Sequence, residues 1–369
     1  MVKPIEIASY RQVKKTIQQR LYTAVFSVKG LAVVTMLVAI ASLFQGAYAL
    51  SPKEIFDCIM AQFGWSEVTV PAGVSYMLFQ LRLPRIILGL LVWATLASSG
   101  AALQALFRNP LADPGLVGVT SGAMLFAVFG IVFTTHIALI YNTLFLNYFT
   151  LTIFAFTGSL LTTWLVYRLS TFGNRTYVAT MLLAGVAMSA LAGAITGLFT
   201  YFSNESQLRD ITFWTLGSLG SAQWIFVIVL LPICCVLFFL IIRQAPALNL
   251  LLLGEQEAAY AGVNIQRLKK TVIICTALGV GACVAACGVI GFVGLVVPHL
   301  LRLVRGTNYR WLLPASALLG GALLVVADTI ARTAIAPAEL PIGVLTALLG
   351  SPFFLWLLLK SRGRMAIHF

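Results

Sequence analysis

Long windows without Asp, Glu, Lys or Arg constrain the fold of this 369-residue chain more than any other feature. These windows are 86–107, 114–167, 176–204, 211–242, 271–301 and 340–359. A helix needs about 20 apolar residues to cross the hydrocarbon core of a bilayer, so each window has room for one or two crossings. Lipid offers the backbone no hydrogen-bond partners, which leaves only helices and closed barrels. Because the windows lack the period-two alternation of barrel strands, the sequence predicts an all-α integral membrane protein.

The composition agrees with the windows. Hydrophobic residues make up 60% of the chain and charged residues only 9%. A soluble domain carries roughly 25% charged residues, so this chain could not cover its apolar surface with polar groups in water. A water-soluble fold is therefore excluded.

Ten spans are predicted, and the crowded region 271–304 could hold either one long helix or two pieces. The apolar stretch 31–49 ends in Ala47, Tyr48 and Ala49, which resembles a signal-peptidase site. Because the stretch has full span length and a long basic segment precedes it, an uncleaved first helix is the favoured interpretation. The predicted spans are 30–50, 86–107, 115–134, 144–167, 178–202, 222–242, 270–290, 292–304, 311–332 and 342–359.

The distribution of basic residues predicts the orientation. With both termini in the cytoplasm, nineteen of the 24 Lys and Arg residues lie inside, which obeys the positive-inside rule. The five on the outer side are Lys53, Arg82, Arg85, Arg209 and Arg332. The net charge of +13 thus reflects membrane insertion, and nucleic acid is not an expected partner. Residues 1–29 are predicted to form a basic cytoplasmic extension before a permease domain at 30–369.

The chemistry that the sequence lacks narrows the function. It has no Gly-Lys pair, so a phosphate-binding Walker loop is absent and the chain is not predicted to be an enzyme. A permease subunit of a multi-chain pump, a secondary transporter and a membrane-embedded enzyme or scaffold remain. Secondary transporters need ionisable groups inside the bilayer, and Asp328 is the clearest one here. Its spacing of four from Arg332 favours a local ion pair over a proton relay. No metal site is predicted, although Cys283 and Cys287 share a helix face.

Three segments each allow two interpretations. Arg82 and Arg85 could snorkel to the interface or form a basic rim that docks an acidic partner. The turn at 107–115, with the small-residue spacing that follows it, indicates tight helix packing or a broken helix beside a pathway. The loop at 243–270 should hold two short helices, either as a docking surface for a cytoplasmic partner or as a plain connection. In the fifth span, packing alone explains Gly193 and Gly197.

In this order, these segments resemble the iron–siderophore, haem and cobalamin permeases of the type II ABC importers. The resemblance covers roughly residues 75–360. The matching motifs are RLPR (82–85), SGAALQALFRNPLADPG (99–115), GVIGFVGLVVPH (288–299), ADTIAR (327–332), PAELPIG (337–343) and GSPFF (350–354).

The resemblance implies a homodimer of ten-helix subunits in the bacterial inner membrane, with helices two to five and seven to ten forming an inverted repeat. It implies two cytoplasmic ATPase chains that bind ATP, a periplasmic binding protein, surrounding membrane lipid and no permanently bound cofactor. Arg82, Arg85 and Arg332 would dock the binding protein. The coupling-helix loop, about 250–266, would contact the ATPase through Gly254, Glu255, Ala258, Ala259 and Gly262. Asn109 and Leu111, with Val178 and Thr180, would form the cytoplasmic gate.

The resemblance also bears on the cargo. The stretches 207–224, 288–291 and 309–314 look most similar to the haem-importing members. Haem is therefore the expected cargo, ferric siderophore the next alternative and cobalamin the last. His299 follows Pro298 at a helix end and is expected to be structural rather than a haem ligand. Alternating access, driven by ATP binding on the partner chains, is the expected mechanism.

Overall fold

The computed structural model describes residues 27–46, 48–65, 70–137, 144–173 and 175–365. The predicted basic extension at 1–29 therefore lies almost wholly outside the described residues. Helices α1 to α8 are Val28–Phe44, Pro52–Gln62, Ala72–Tyr76, Leu83–Leu106, Val119–Ile137, Leu144–Leu169, Val178–Tyr201 and Glu205–Leu216. Helices α9 to α15 are Trp224–Arg243, Ala245–Leu251, Glu255–Tyr260, Ile265–Cys287, Val293–Arg305, Tyr309–Thr333 and Ile342–Met365. A π-helical turn (Met77–Arg82), a 3-10 turn (Pro114–Val117) and a two-stranded hairpin, β1 (Thr171–Phe172) and β2 (Arg175–Thr176), complete the elements.

Six helical segments within the described residues are long and apolar enough to cross a membrane. The longest, Ala72–Leu106, joins α3, the π-helical turn and α4. The others lie in α6, α7, α9, α12 and α14. Helices α1, α5 and α15 are apolar over shorter stretches, and α13 has 13 residues. The predicted helical membrane fold is confirmed, whereas the count of ten crossings stays a prediction.

Two helices outside the predicted spans, α2 and α8, both begin with a capping box. The Ser51 hydroxyl accepts the N–H of Glu54, and the Glu54 carboxylate accepts the N–H of Ser51 at 2.7 Å. Asn204 and Gln207 exchange the same two bonds at the start of α8. Each box satisfies backbone donors that the first turn of a helix leaves free. These short helices escaped the hydropathy analysis because they carry charged residues.

Some predicted span boundaries were wrong for identifiable reasons. The third span was predicted from 115, but α5 starts at Val119 because residues Pro114–Val117 form a 3-10 turn first. For the region 271–304, predicted as either one long helix or two pieces, the two pieces are confirmed as α12 and α13. The chain breaks between them at Gly288 (φ +72°) and Phe292 (φ +68°), both in the left-handed region that a helix cannot use.

Helix α4 lies at the centre of the bundle, and every residue from Thr95 to Leu106 is buried. It approaches α13 so closely that a Cβ added at Gly100 would lie 2.1 Å from the carbonyl oxygen of Gly294. The Gln104 amide donates to the same carbonyl at 3.1 Å. Close backbone approach of this kind supplies the packing energy that membrane helices cannot gain from water. Helix α4 thus fixes the position of α13 and the break before it.

The two small-residue patterns of the sequence have different outcomes. A Cβ at Gly122 would lie too close to the carbonyl oxygen of Gly158, so α5 and α6 cross in contact, which is the tight packing that was one of the two interpretations of this segment. Gly193 and Gly197 have no atom within 4 Å of an added Cβ. Within the described chain no neighbouring helix packs on these two glycines, so the prediction that packing explains them stays a prediction. Helix α7 is also the least buried of the six long spans, so it presents an open glycine face.

Candidate functional site

One end of the bundle holds a network of buried charges, here called the arginine network: Arg82, Arg85, Asp328, Arg332 and Glu339. At its centre, the Arg85 guanidinium donates to Asp328 at 2.8 and 3.0 Å and to Glu339 Oε1 at 3.0 Å. The side chains of Arg85 and Asp328 are 11% and 5% exposed, whereas that of Glu339 is 43% exposed. Bidentate contacts between guanidinium and carboxylate groups are strong and directional. The network therefore ties α4 to α14 and to the α14–α15 loop.

The outer two arginines bind α1 and the chain just after it. Arg82 donates to the backbone carbonyl oxygens of Leu43 and Tyr48. Arg332 donates to the Ser42 hydroxyl at 2.8 Å, and its Nε lies 3.1 Å from Asp328 Oδ2. The last carbonyls of a helix lack donors within the helix, so the Leu43 carbonyl gains from the Arg82 guanidinium.

The structure shows internal partners for all three arginines. Arg82 and Arg332 are only 4% and 6% exposed, whereas Arg85 is half-buried. The internal carbonyls and carboxylates that accept their hydrogen bonds hold these groups inside. The Asp328–Arg332 contact has the predicted i,i+4 geometry. A docking role for the three arginines stays a prediction.

The second candidate region lies at the opposite end of the bundle. Asn249, in α10, accepts the N–H of Tyr309 at 2.8 Å, which attaches α10 to the first residue of α14. Arg332 is 23 residues further along α14, which corresponds to roughly 35 Å at 1.5 Å per residue. That length spans the hydrocarbon core of about 30 Å. The α10–α11 region and the arginine network therefore lie on opposite sides of the membrane.

A buried lysine connects α11 to α12 and to the small hairpin. The Lys269 ammonium lies 2.8 Å from Glu255 Oε1 and donates to the Thr176 carbonyl oxygen at 3.0 Å. The N–H of Thr176 in turn donates to the Gln266 side chain at 3.0 Å. Only 4% of the Lys269 side chain is exposed. Both polar backbone groups of Thr176, two residues before α7, are thus held by α12, and the same lysine holds α11.

The predicted two short helices between 243 and 270 are confirmed as α10 and α11. The five predicted ATPase-contact residues divide between two sides. Gly254 and Ala258 are buried and Glu255 binds Lys269, so these three attach α11 to the bundle. Ala259 and Gly262 are exposed, beside Tyr260, which is 90% exposed. Within this set, only the exposed residues and the free edge of Glu255 can meet a partner chain directly.

The predicted gate residues lie on two elements. The Asn109 side chain accepts the N–H of Leu111 at 2.9 Å, and the Asp113 side chain accepts the N–H of Gly115 at 2.8 Å. Desolvation raises the pKa of the Asp113 carboxyl, and the Gly115 N–H opposes that effect. Val178 and Thr180 are half-buried at the start of α7. In the part of the chain that the structure describes, no hydrogen bond joins the two pairs, and the gate stays a prediction.

Three functional side chains were missed by sequence reasoning. Glu339 lies in the PAELPIG motif, but the motif alone indicates no role for this acid. In the sequence, Lys269 is one of nineteen predicted inside charges, and Gln266 has no distinguishing feature. An acid in a motif at a span end and a Lys-Lys pair at the start of a span were the available signals. Neither signal shows which residue the fold brings next to the charged group. Arg85 and Asp328, for example, are 243 residues apart in the sequence.

Comparisons with known proteins agree with this architecture. The family model of the FecCD transport family matches residues 34–360. The chain is 43% identical over 336 residues to the hemin transport system permease protein HmuU of Yersinia pestis, covering 90% of this chain and 95% of that protein. It is 41% identical over 297 residues to the cobalamin import system permease protein BtuC of Halobacterium salinarum, covering 80% and 76%.

A solved structure has the same fold. It is an inward-facing conformation of a transporter described as a metal-chelate type ABC transporter, with a TM-score of 0.77 and 33% identity. The match covers 90% of this chain and 98% of that one. The predicted resemblance is therefore confirmed. The chain belongs to the FecCD transport family and is a multi-pass ABC transporter permease.

Proposed function

We propose that this chain is the membrane-spanning subunit of an importer that moves haem into the cytoplasm by alternating access. The observation that carries the proposal is the 43% identity with a hemin permease across nine-tenths of the chain. Two cobalamin import permeases are 41% and 38% identical to the chain, and the stretches 207–224, 288–291 and 309–314 also favour haem. Ferric siderophore and cobalamin are the alternatives that the experiment must exclude.

The energy source is a separate ATPase that binds at α11. The chain contains no Walker loop, since no Gly-Lys pair occurs in the sequence. Leu253 and Tyr260, 70% and 90% exposed, flank α11 on the side away from the bundle. Large exposed apolar groups in a polar loop are typical of a docking surface. This end carries the excess of basic residues, so the proposal places both termini and the ATPase in the cytoplasm.

A second copy of the chain completes the pathway. The open face of α7 carries Gly193 and Gly197 together with exposed Leu183, Val186 and Leu198. Exposed apolar side chains alone are compatible with a lipid-facing surface. A face of small residues, however, allows another helix to approach closely. We infer that this face meets the partner copy or lines the passage between the two copies.

The arginine network lies on the outer side in this orientation. Glu339 and Arg85 are its most accessible members, so a periplasmic binding protein would meet them first. The acidic residues of such a partner would have to compete with Glu339 for Arg85. Docking therefore rearranges existing ion pairs, and this rearrangement is one way to pass a signal into α4 and α14.

The test is cargo uptake by proteoliposomes. The permease is reconstituted with its ATPase, ATP is enclosed, and accumulation of haem, a ferric siderophore and cobalamin is measured with the loaded binding protein outside. ATP-dependent haem uptake is the expected result. Uptake of another cargo in its place would refute the haem assignment. Accumulation by the permease alone, driven by a proton or sodium gradient, would refute the ATP-driven function and favour a secondary transporter.

A further inference from the structure

A groove of about 420 Å³ runs between α6 and α12 on the outside of the bundle. Trp164 and Ile274 on its wall are 54% and 45% exposed, although both lie in apolar spans. Exposed apolar side chains at this depth face the lipid. The apolar lining includes Leu160, Trp164, Tyr167, Ile274, Ala277 and Leu278.

One end of the groove carries two cations. Arg168 lies in the last turn of α6, with its guanidinium 5.8 Å from the centre of the Trp164 ring, and Lys270 lies on α12 opposite. Both side chains are exposed, and neither takes part in a salt bridge among the described residues. None of the described residues that line the groove is acidic. Among the described residues, the charge at this end therefore has no counterion in the groove.

The length of the groove matches one leaflet. From Leu160 to Arg168 the axial rise is roughly 12 Å at 1.5 Å per residue. Half of a hydrocarbon core of about 30 Å is about 15 Å, so the apolar wall reaches from near the bilayer centre to the headgroup level. The two cations then lie where phospholipid phosphates lie, and Trp164 and Tyr167 lie at a depth that aromatic side chains favour.

We propose that this groove binds an anionic phospholipid, with its phosphate between Arg168 and Lys270 and one acyl chain along Leu160, Ala277 and Leu278. Basic pockets between transmembrane helices at the cytoplasmic side suit acidic headgroups. A zwitterionic lipid would fill the same groove but would gain less from the two cations. Lys270 is next to Lys269 in the sequence, so the bound lipid would hold α6 against the start of α12, close to the contact with α11.

The test counts lipids retained by the purified permease, using native mass spectrometry after incubation with equal amounts of phosphatidylglycerol and phosphatidylethanolamine. The wild-type protein should retain phosphatidylglycerol preferentially. Each cation near a membrane surface contributes about fivefold to the binding of an acidic lipid, so R168Q/K270Q should weaken retention of phosphatidylglycerol about 30-fold. Retention of phosphatidylethanolamine should not change.

Two further variants separate the groove from general surface charge. R310Q removes an exposed cation that does not line the groove and should behave as wild type. A277F keeps both cations but fills the groove and should also lose phosphatidylglycerol. The proposal is overturned if both lipids are retained equally, if R168Q/K270Q matches wild type, or if a folded A277F retains the lipid. The measurement needs neither ATP nor cargo, so its failure would leave the proposed transport function intact.

Discussion

Replacing Lys269 with Met tests whether the contact between α11 and α12 couples ATP hydrolysis on the partner chain to transport. The substitution keeps an unbranched apolar side chain that ends at Cε and removes the ammonium group. That group binds the Glu255 carboxylate and the Thr176 carbonyl oxygen at 2.8 and 3.0 Å. Without it, α11 loses its ionic attachment to α12, and the hairpin before α7 loses one of its two hydrogen bonds to α12. We expect ATP hydrolysis to continue while transport per ATP falls.

The magnitude follows from the burial of the two acceptors. Breaking a buried ion pair costs about 3–5 kcal/mol, but the Glu255 side chain is 39% exposed and can be hydrated, so we expect only about 1 kcal/mol from it. A carbonyl left without a donor costs about 1–3 kcal/mol. The attachment of α11 should therefore weaken by about 1 kcal/mol, which shifts the equilibrium between attached and detached α11 about fivefold. The attachment of the hairpin to α12 should separately weaken by about 1–3 kcal/mol.

The assay compares cargo moved with ATP hydrolysed in proteoliposomes that contain the permease, its ATPase and the binding protein. K53M is the matched control, because Lys53 is exposed at the other end of the bundle and makes no salt bridge within the described residues. The charge exchange K269E/E255K should restore part of the coupling. A K269M complex with the wild-type ratio of cargo to ATP would refute the reasoning. A parallel loss of assembly and hydrolysis would also refute it, because that result indicates a folding role only.

Three other substitutions have defined outcomes. Asp328→Asn removes the carboxylate that Arg332 contacts and leaves Arg85 with only the more exposed Glu339 among the described residues, so it should destabilise the protein by about 3–5 kcal/mol. Glu339→Gln, at a carboxylate 43% exposed, should cost under about 1 kcal/mol. Thermal unfolding in detergent measures both, and equal shifts would contradict the burial argument. Ala259→Arg should abolish co-purification of the ATPase with the permease and leave the unfolding temperature of the permease unchanged. Ala258→Arg, at a fully buried position, should lower that unfolding temperature. The opposite pattern would exclude α11 as the contact with the ATPase. Asp113 has a raised pKa, so its charge lowers stability as the pH rises through the interval between its unfolded value, about 3.9, and its higher folded value. Asp113→Asn keeps the cap and should therefore raise the unfolding temperature at neutral pH but not below that interval; an equal change at both pH values would rule out the charge as the cause.

The sequence predicts the helical spans well because lipid imposes one simple requirement on them. Every backbone group must be bonded within its own helix, so a run of apolar residues identifies the element directly. The close crossing at Gly122 was predictable for a related reason, since small residues at a spacing of four are the usual means of approach between membrane helices. The start of α5 was not, because the 3-10 turn before it depends on Pro114 and the Asp113 cap together.

The candidate site was only partly predictable. Sequence spacing gave the Asp328–Arg332 contact, since both residues are on one helix. Spacing could not show that the Arg82 side chain turns inward to the backbone carbonyls at the end of α1. Those carbonyls are 34 and 39 residues away in the sequence, and their position depends on the packing of three helices. Lys269 illustrates the same limit: a Lys-Lys pair near the membrane looks like two inside charges, but one is buried on Glu255 and the other is exposed.

Helix α14 is held at both of its ends, by Asn249 at Tyr309 and by the arginine network at Asp328 and Arg332. A conformational cycle that keeps those bonds must carry α10 with the start of α14, and α1 and α4 with its end. The displacements that open one side of the membrane and shut the other then fall on elements with fewer neighbours, and α7 is the first of these. The protein would thus divide into a frame, which contains α14 and the helices bound to its ends, and a smaller moving part, which contains α7. Substitutions in the moving part alone could then change cargo specificity.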